Sequence, residues 1–112
     1  MNKKTGKKTD PKAITFIDLF AGAGGFSEGF LQVETNNKYF DFLVANDINE
    51  NCELTHVARY NVQLGLDMNF LCQDITEPDF LNNLLEKIGN KQVDVVCGGP
   101  PCQSSGLLIR RN

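Results

Sequence analysis

The 112-residue sequence is short of the features that would mark several large protein classes. No apolar stretch approaches the roughly 18 residues of a membrane span, so no membrane association is expected. The lysines near the N-terminus have no apolar segment behind them, which argues against a secretory signal and makes the cytoplasm the expected compartment. There is a single histidine, His56, and the four cysteines form no C-x-x-C pair. Zinc-ligand spacing is therefore missing, and no metal is expected. With no export signal, a disulfide framework is not expected either. Nothing matches G-x-x-x-x-G-K-[ST], which excludes a P-loop. There is no internal repeat and no low-complexity segment.

Positive charge is also scarce outside one place. Lys3, Lys4, Lys7, Lys8 and Lys12 crowd residues 1–12, which read as a lysine-rich flexible tail. From Ala13 onward there are 6 basic and 13 acidic residues, a balance of -7. Residues 13–112 thus form a domain that does not grip nucleic acid by electrostatics alone.

What is present is an alternation of strand and helix patterns. Residues 14–20 are nearly continuous in apolar side chains and read as a buried strand. A glycine turn follows, then a helix over residues 25–34. Phe40 to Ala45 reads as a second strand, and Asn49 caps a helix from Glu50 to Tyr60 with Leu54, Val57 and Ala58 on its apolar face. A short third strand runs from Asn69 to Gln73. A helix begins at Thr76, with Pro78 in its first turn, and Gly89 stops it. Val93 to Cys97 is a fourth strand. The order β-α-β-α-β-α-β predicts an α/β fold with about four parallel, doubly wound strands and flanking helices. Cys52, Cys72 and Cys97 sit in helix or strand patterns and read as small core residues.

In such sheets ligands bind across the carboxyl ends of the strands. The polar and glycine-rich residues fall there: Gly22, Gly24 and Gly25 after the first strand, Asp47 after the second, Asp74 after the third and Cys102 after the fourth. Asp47 is placed to accept from ribose hydroxyls, and Asp74 from an adenine amino group. Phe20, Ile48 and Ile75 are suited to sandwich a purine. The glycine pattern is G-x-G-G rather than a full G-x-G-x-x-G, because Ser27 stands where the last glycine would be. A nicotinamide-dependent oxidoreductase remains an alternative on these residues. Gly98-Gly99-Pro100-Pro101-Cys102-Gln103 holds a cysteine on a stiff loop at a strand end, where a thiolate serves as a nucleophile.

Phe16-Ile17-Asp18-Leu19-Phe20-Ala21-Gly22-Ala23-Gly24-Gly25-Phe26 and Gly99-Pro100-Pro101-Cys102-Gln103 resemble the first and the catalytic motifs of the cytosine-5 DNA methyltransferases. Asn46-Asp47-Ile48 and Asp74-Ile75-Thr76 match family positions between them, and the resemblance covers about residues 14–105. It implies a partial Rossmann-like methyltransferase fold with S-adenosyl-L-methionine as methyl donor. Phe20, Ala21, Gly22, Ala23, Gly24, Gly25, Asp47, Ile48, Asp74, Ile75 and Pro101 would form the cofactor site, and Cys102 would be the nucleophile. Double-stranded DNA is the implied partner and a bacterial or phage-like host the implied setting. The family's ring-protonating glutamate, its arginine motif and its target-recognition region would lie beyond Asn112, so a complementary C-terminal subunit is a further expected partner. Where the family carries an aromatic residue and a serine after Gln103, this chain has Ser104-Ser105-Gly106. An inactive cofactor-binding remnant is the alternative.

Overall fold

The computed structural model describes residues 12–22 and 24–98. Their framework is a four-stranded sheet in the order β3-β2-β1-β4, with every neighbouring pair parallel. The strands are β1 (Lys12–Leu19), β2 (Lys38–Asp47), β3 (Asn69–Cys72) and β4 (Val95–Gly98). The helices are α1 (Gly25–Leu31), α2 (Glu50–His56) and α3 (Phe80–Ile88), and α2 continues into a π-helical segment, Val57–Gln63. β1 and β2 are central, and each buries consecutive residues because both faces of the sheet are covered.

Two apolar clusters lie on opposite faces. One gathers Phe16, Phe42, Tyr60, Met68 and Phe70, with Phe30 of α1 packed against it. Phe16 and Phe42 stack with ring centroids 4.6 Å apart, and Tyr60 meets Phe42 edge-on at 5.1 Å. The other cluster joins Ile17, Leu43, Val44 and Leu71 to Phe80 and Leu84 of α3. A register shift lets this happen: Phe16 pairs with Phe42 but Ile17 pairs with Val44. The extra residue, Leu43, joins Val44 on the α3 face rather than alternating away from it.

Several boundaries differ from the sequence reading. The first helix stops at Leu31 rather than residue 34, because Glu34 bridges antiparallel to Tyr39. The helix expected from Thr76 starts at Phe80. Both the Thr76 N–H and its hydroxyl donate to Asp74 Oδ1, at 2.9 and 2.8 Å, which makes a turn in place of a cap. The expected apolar face of α2 is outward: Leu54 is 68% exposed, while His56 and Tyr60 are buried. The π-helical segment widens the turn after His56, so Tyr60 enters the core while Arg59 donates to Glu28 of α1 at 2.7 Å. Asn49 caps α2 as expected, accepting from the Asn51 N–H.

The last strand is held by a close approach. A Cβ on Gly98 would lie 2.6 Å from the Leu19 carbonyl oxygen. Gly98→Ala should therefore push the end of β4 away from β1 and lower stability by about 1–3 kcal/mol, as overpacking does. Urea unfolding checks this, and an unchanged midpoint would show that β4 is free to shift.

Candidate functional site

The carboxyl ends of β1, β2 and β3 surround a pocket of about 350 Å³ lined by Phe20, Gly22, Asn46, Asp47, Ile48, Gln73, Asp74 and Ile75. The turn after β1 shapes one wall. Phe20 takes φ 59°, the left-handed region a non-glycine residue seldom adopts, and Gly22 follows at φ 54°. The Ala21 N–H donates to the Asn46 carbonyl at 2.7 Å, tying this turn to β2.

Asp47 closes β2 and grips the neighbouring loops. Its Oδ2 accepts from the Gly22 N–H at 2.8 Å and its Oδ1 from the Asn49 N–H at 3.1 Å. Asp74 accepts both Thr76 bonds, which hold its carboxyl below the usual carboxylate range and keep it ionised. Ile48 is 64% exposed and Ile75 half-buried, so the apolar walls are open to a ligand.

Of the residues singled out in the sequence, Phe20, Gly22, Asp47, Ile48, Asp74 and Ile75 meet in this pocket. Ala21 is buried behind the turn. Gly24 caps α1 with φ 94° and faces inward, while Gly25 is exposed as the first residue of α1. Neither of these two glycines lines the pocket. Ala23, Pro101 and Cys102 lie outside the described residues.

Sequence reasoning missed Asn46 and Gln73. Asn46 Nδ2 donates to the carbonyls of Leu71 and Gln73, both at 2.9 Å. Gln73 Nε2 donates to Glu77 at 2.8 Å and Asp79 at 2.6 Å, and its Oε1 accepts from Asn83 at 3.0 Å. Their signal was polarity at a strand end, which does not separate a wall residue from a loop residue.

Beneath the glycine turn, Asp18 and His56 are fully buried. The Ser27 hydroxyl donates to Asp18 Oδ2 at 2.8 Å. Burial, opposed by the Ser27 bond and by His56, pushes the Asp18 carboxyl up. Burial likewise raises the thiols of Cys52 and Cys72, and pushes Cys97 up to about 11, so these thiols stay protonated and unreactive at neutral pH. Among the described residues no three His, Cys, Asp or Glu side chains gather as metal ligands, and no helix is long and apolar enough to cross a membrane.

The parallel sheet, its flanking helices and the pocket at its carboxyl edge define a partial Rossmann-like α/β fold. Residues 14–106 match the family described as C-5 cytosine-specific DNA methylase, and the chain belongs to that family. It is similar to the type II methyltransferase M1.HphI of Haemophilus parahaemolyticus, 41% identical over 95 residues. It is also similar to the type II methyltransferase M.XorII of Xanthomonas oryzae, 35% identical over 95 residues. Each alignment takes in 85% of this chain but only 23% and 20% of those relatives. A DNA (cytosine-5)-methyltransferase 1 of Gallus gallus is 30% identical over 103 residues, 91% of this chain and 6% of that protein. Family membership sets aside the nicotinamide-dependent alternative.

Because its pKa is raised, Asp18 contributes stability that is fully present below the ordinary value of 3.8 and is lost as pH rises through the folded value. Asp18→Asn removes that loss. The stability of the variant relative to wild type should rise with pH from 3.8 upward and then level off. Urea midpoints measured in pH steps check the slope, and a flat difference would contradict the burial argument.

Proposed function

We propose that this chain carries the cofactor site and the nucleophile of a DNA cytosine-5 methyltransferase. The reaction moves a methyl group from S-adenosyl-L-methionine to carbon 5 of cytosine in double-stranded DNA through a covalent cysteine adduct. The observation that carries the reading is the pocket at the ends of β1, β2 and β3, taken with membership of the family.

The residues suit the nucleoside half of the cofactor. Phe20, Ile48 and Ile75 offer apolar walls to an adenine ring. Asp47 spends one lone pair of each oxygen on Gly22 and Asn49, and its remaining lone pairs can accept from ribose hydroxyls. Asp74, ionised and oriented by Thr76, accepts from the adenine amino group. By the family resemblance, Phe20, Ala23 and Gly25 would line the methionine and adenine parts, and Pro101 would sit near the sulfonium.

S-adenosyl-L-methionine, when bound, supplies an electrophilic methyl group. The Cys102 thiolate adds to carbon 6 of the cytosine, forming a carbon–sulfur bond. The displaced electron pair makes carbon 5 nucleophilic. After methylation, loss of the carbon 5 proton to a base returns the electron pair and expels the thiolate. The cytosine must leave the duplex to reach the thiolate. The acid that protonates the ring, and the surface that grips DNA, belong to a complementary region, in the same polypeptide or in a second subunit. Three features support this: the small share of each relative that the chain spans, the acidic balance from Ala13 onward, and β4. Among the described residues β4 pairs only with β1, and its Val96 is 60% exposed.

Two experiments test the proposal. DNA carrying 5-fluorocytosine cannot lose a proton from carbon 5, so the intact protein should remain covalently attached to it. Cys102→Ser should abolish both this adduct and methylation, and a persisting adduct would move the nucleophile elsewhere. Ile48→Ala should weaken S-adenosyl-L-methionine binding roughly fivefold to tenfold, as loss of a buried isoleucine contact does. Because Ile48 is exposed, its melting temperature should not change. Equal affinity in a calorimetric titration would remove Ile48 from the site.

A further inference from the structure

Among the described residues, two buried side-chain polar atoms at the heart of the domain lack a partner: Asp18 Oδ1 and His56 Nε2. Asp18 is 0% exposed and His56 1% exposed. His56 Nδ1 lies 2.9 Å from the Cys52 carbonyl, an oxygen that only accepts, so the ring hydrogen sits on Nδ1. In the neutral ring Nε2 is then an acceptor. Ser27 already serves Asp18 Oδ2, which leaves Oδ1 as a second acceptor. The two groups come from different elements, β1 and α2, and both lie against the segment that joins β1 to α1.

Both border the glycine turn. A Cβ at Gly24 would fall 3.5 Å from His56 Nε2 and 2.9 Å from the Tyr60 hydroxyl. The turn therefore rests on the His56 and Tyr60 side chains, and Ser27, which binds Asp18, lies in the first turn of α1. Two buried acceptors cannot satisfy each other, and each costs free energy while unmatched. A group with two hydrogens meets both needs at once.

We infer that a single buried water molecule donates one hydrogen to Asp18 Oδ1 and the other to His56 Nε2, and that this bridge makes His56 a positioning residue for the glycine turn of the cofactor site. The inference rests on the cofactor reading above for its effect on binding, but not for the bridge itself. The charged or titratable neighbours are Glu28 on α1, Asp47 on β2, Cys52 on α2, Arg59 and Tyr60 on the π-helical segment and Cys97 on β4. None of them hydrogen-bonds to either acceptor.

Substitutions separate this arrangement from a direct ion pair. In Asp18→Asn the amide oxygen still accepts from Ser27, and the amide nitrogen donates into the bridge, so both acceptors remain served without a carboxylate. Calorimetric titration of the intact protein should find S-adenosyl-L-methionine affinity within about threefold of wild type for Asp18→Asn, a change under 1 kcal/mol. Asp18→Ala and His56→Phe should each lose roughly tenfold or more while near-ultraviolet circular dichroism shows the fold retained. Affinity in Asp18→Asn as poor as in Asp18→Ala would overturn the bridge in favour of an ion pair. Should either apolar variant fail to fold, nitrogen-15 spectra of the wild-type histidine ring, assigned by its loss in His56→Gln, decide the matter. A neutral ring with hydrogen on Nδ1 and a hydrogen-bonded Nε2 is expected, and hydrogen on both nitrogens at neutral pH would refute the proposal. If wild type bound no cofactor while the spectra showed the neutral ring, the cofactor reading would fail and the bridge would stand.

Discussion

Asn46 is where the strand ends are tied together. Its amide nitrogen reaches two carbonyls of the β3 end, and its own carbonyl receives the N–H of Ala21 after β1. Three strand ends are thus locked at one level by a single buried residue. Loss of any of these bonds would leave a buried polar group unmatched, which costs more than the bond itself contributes. The pocket walls hang from this point: Phe20 and Gly22 on one side, Gln73 and Asp74 on the other, and Asp47 beside it. Gln73 adds a second tie, because its side-chain amide is engaged by Glu77, Asp79 and Asn83. That network fixes the loop before α3, so the Asp74 carboxylate has a defined position.

The packing beneath is aromatic on one face and aliphatic on the other. Phe16, Phe30, Phe40, Phe42 and Tyr60 form a run of ring contacts between 4.6 and 6.0 Å. Such contacts are specific in geometry as well as apolar, which orients α1 and the π-helical segment against the sheet. The Arg59–Glu28 pair on top of them is half-exposed and contributes little. Positioning of the glycine turn therefore comes from the rings and the buried polar cluster below it.

Much of this was readable in advance where the physics is local. The buried runs of β1 and β2, the left-handed glycines at 22, 24 and 89, and the Asn49 cap each follow from the residue at that position. The strand-end rule then brought Phe20, Gly22, Asp47, Ile48, Asp74 and Ile75 to one pocket. What failed were readings that needed phase or partners. The inward face of α2 and the segment after it is Cys52, His56 and Tyr60, so the apolar face read from the sequence came out on the wrong side, with Leu54 in solvent. Thr76 looked like a cap, but Asp74 two residues earlier offered its N–H and hydroxyl a closer acceptor. Asn46 and His56 are polar residues buried by their bonding, and hydropathy carries no trace of that.

The parallel sheet also sets an order of assembly. β1 pairs with β4 across 79 residues of chain, Phe16 against Val95, whereas β2 and β3 lie far closer together in sequence. Closing so long a loop is entropically slow, so β4 is the natural last arrival. The chain emerges from the ribosome in the same sequence, with β1, β2 and β3 available to pair before β4 is made. A nascent or partly folded molecule would therefore hold the walls of the β1–β3 pocket complete while β1 still presents an open edge where β4 will pair.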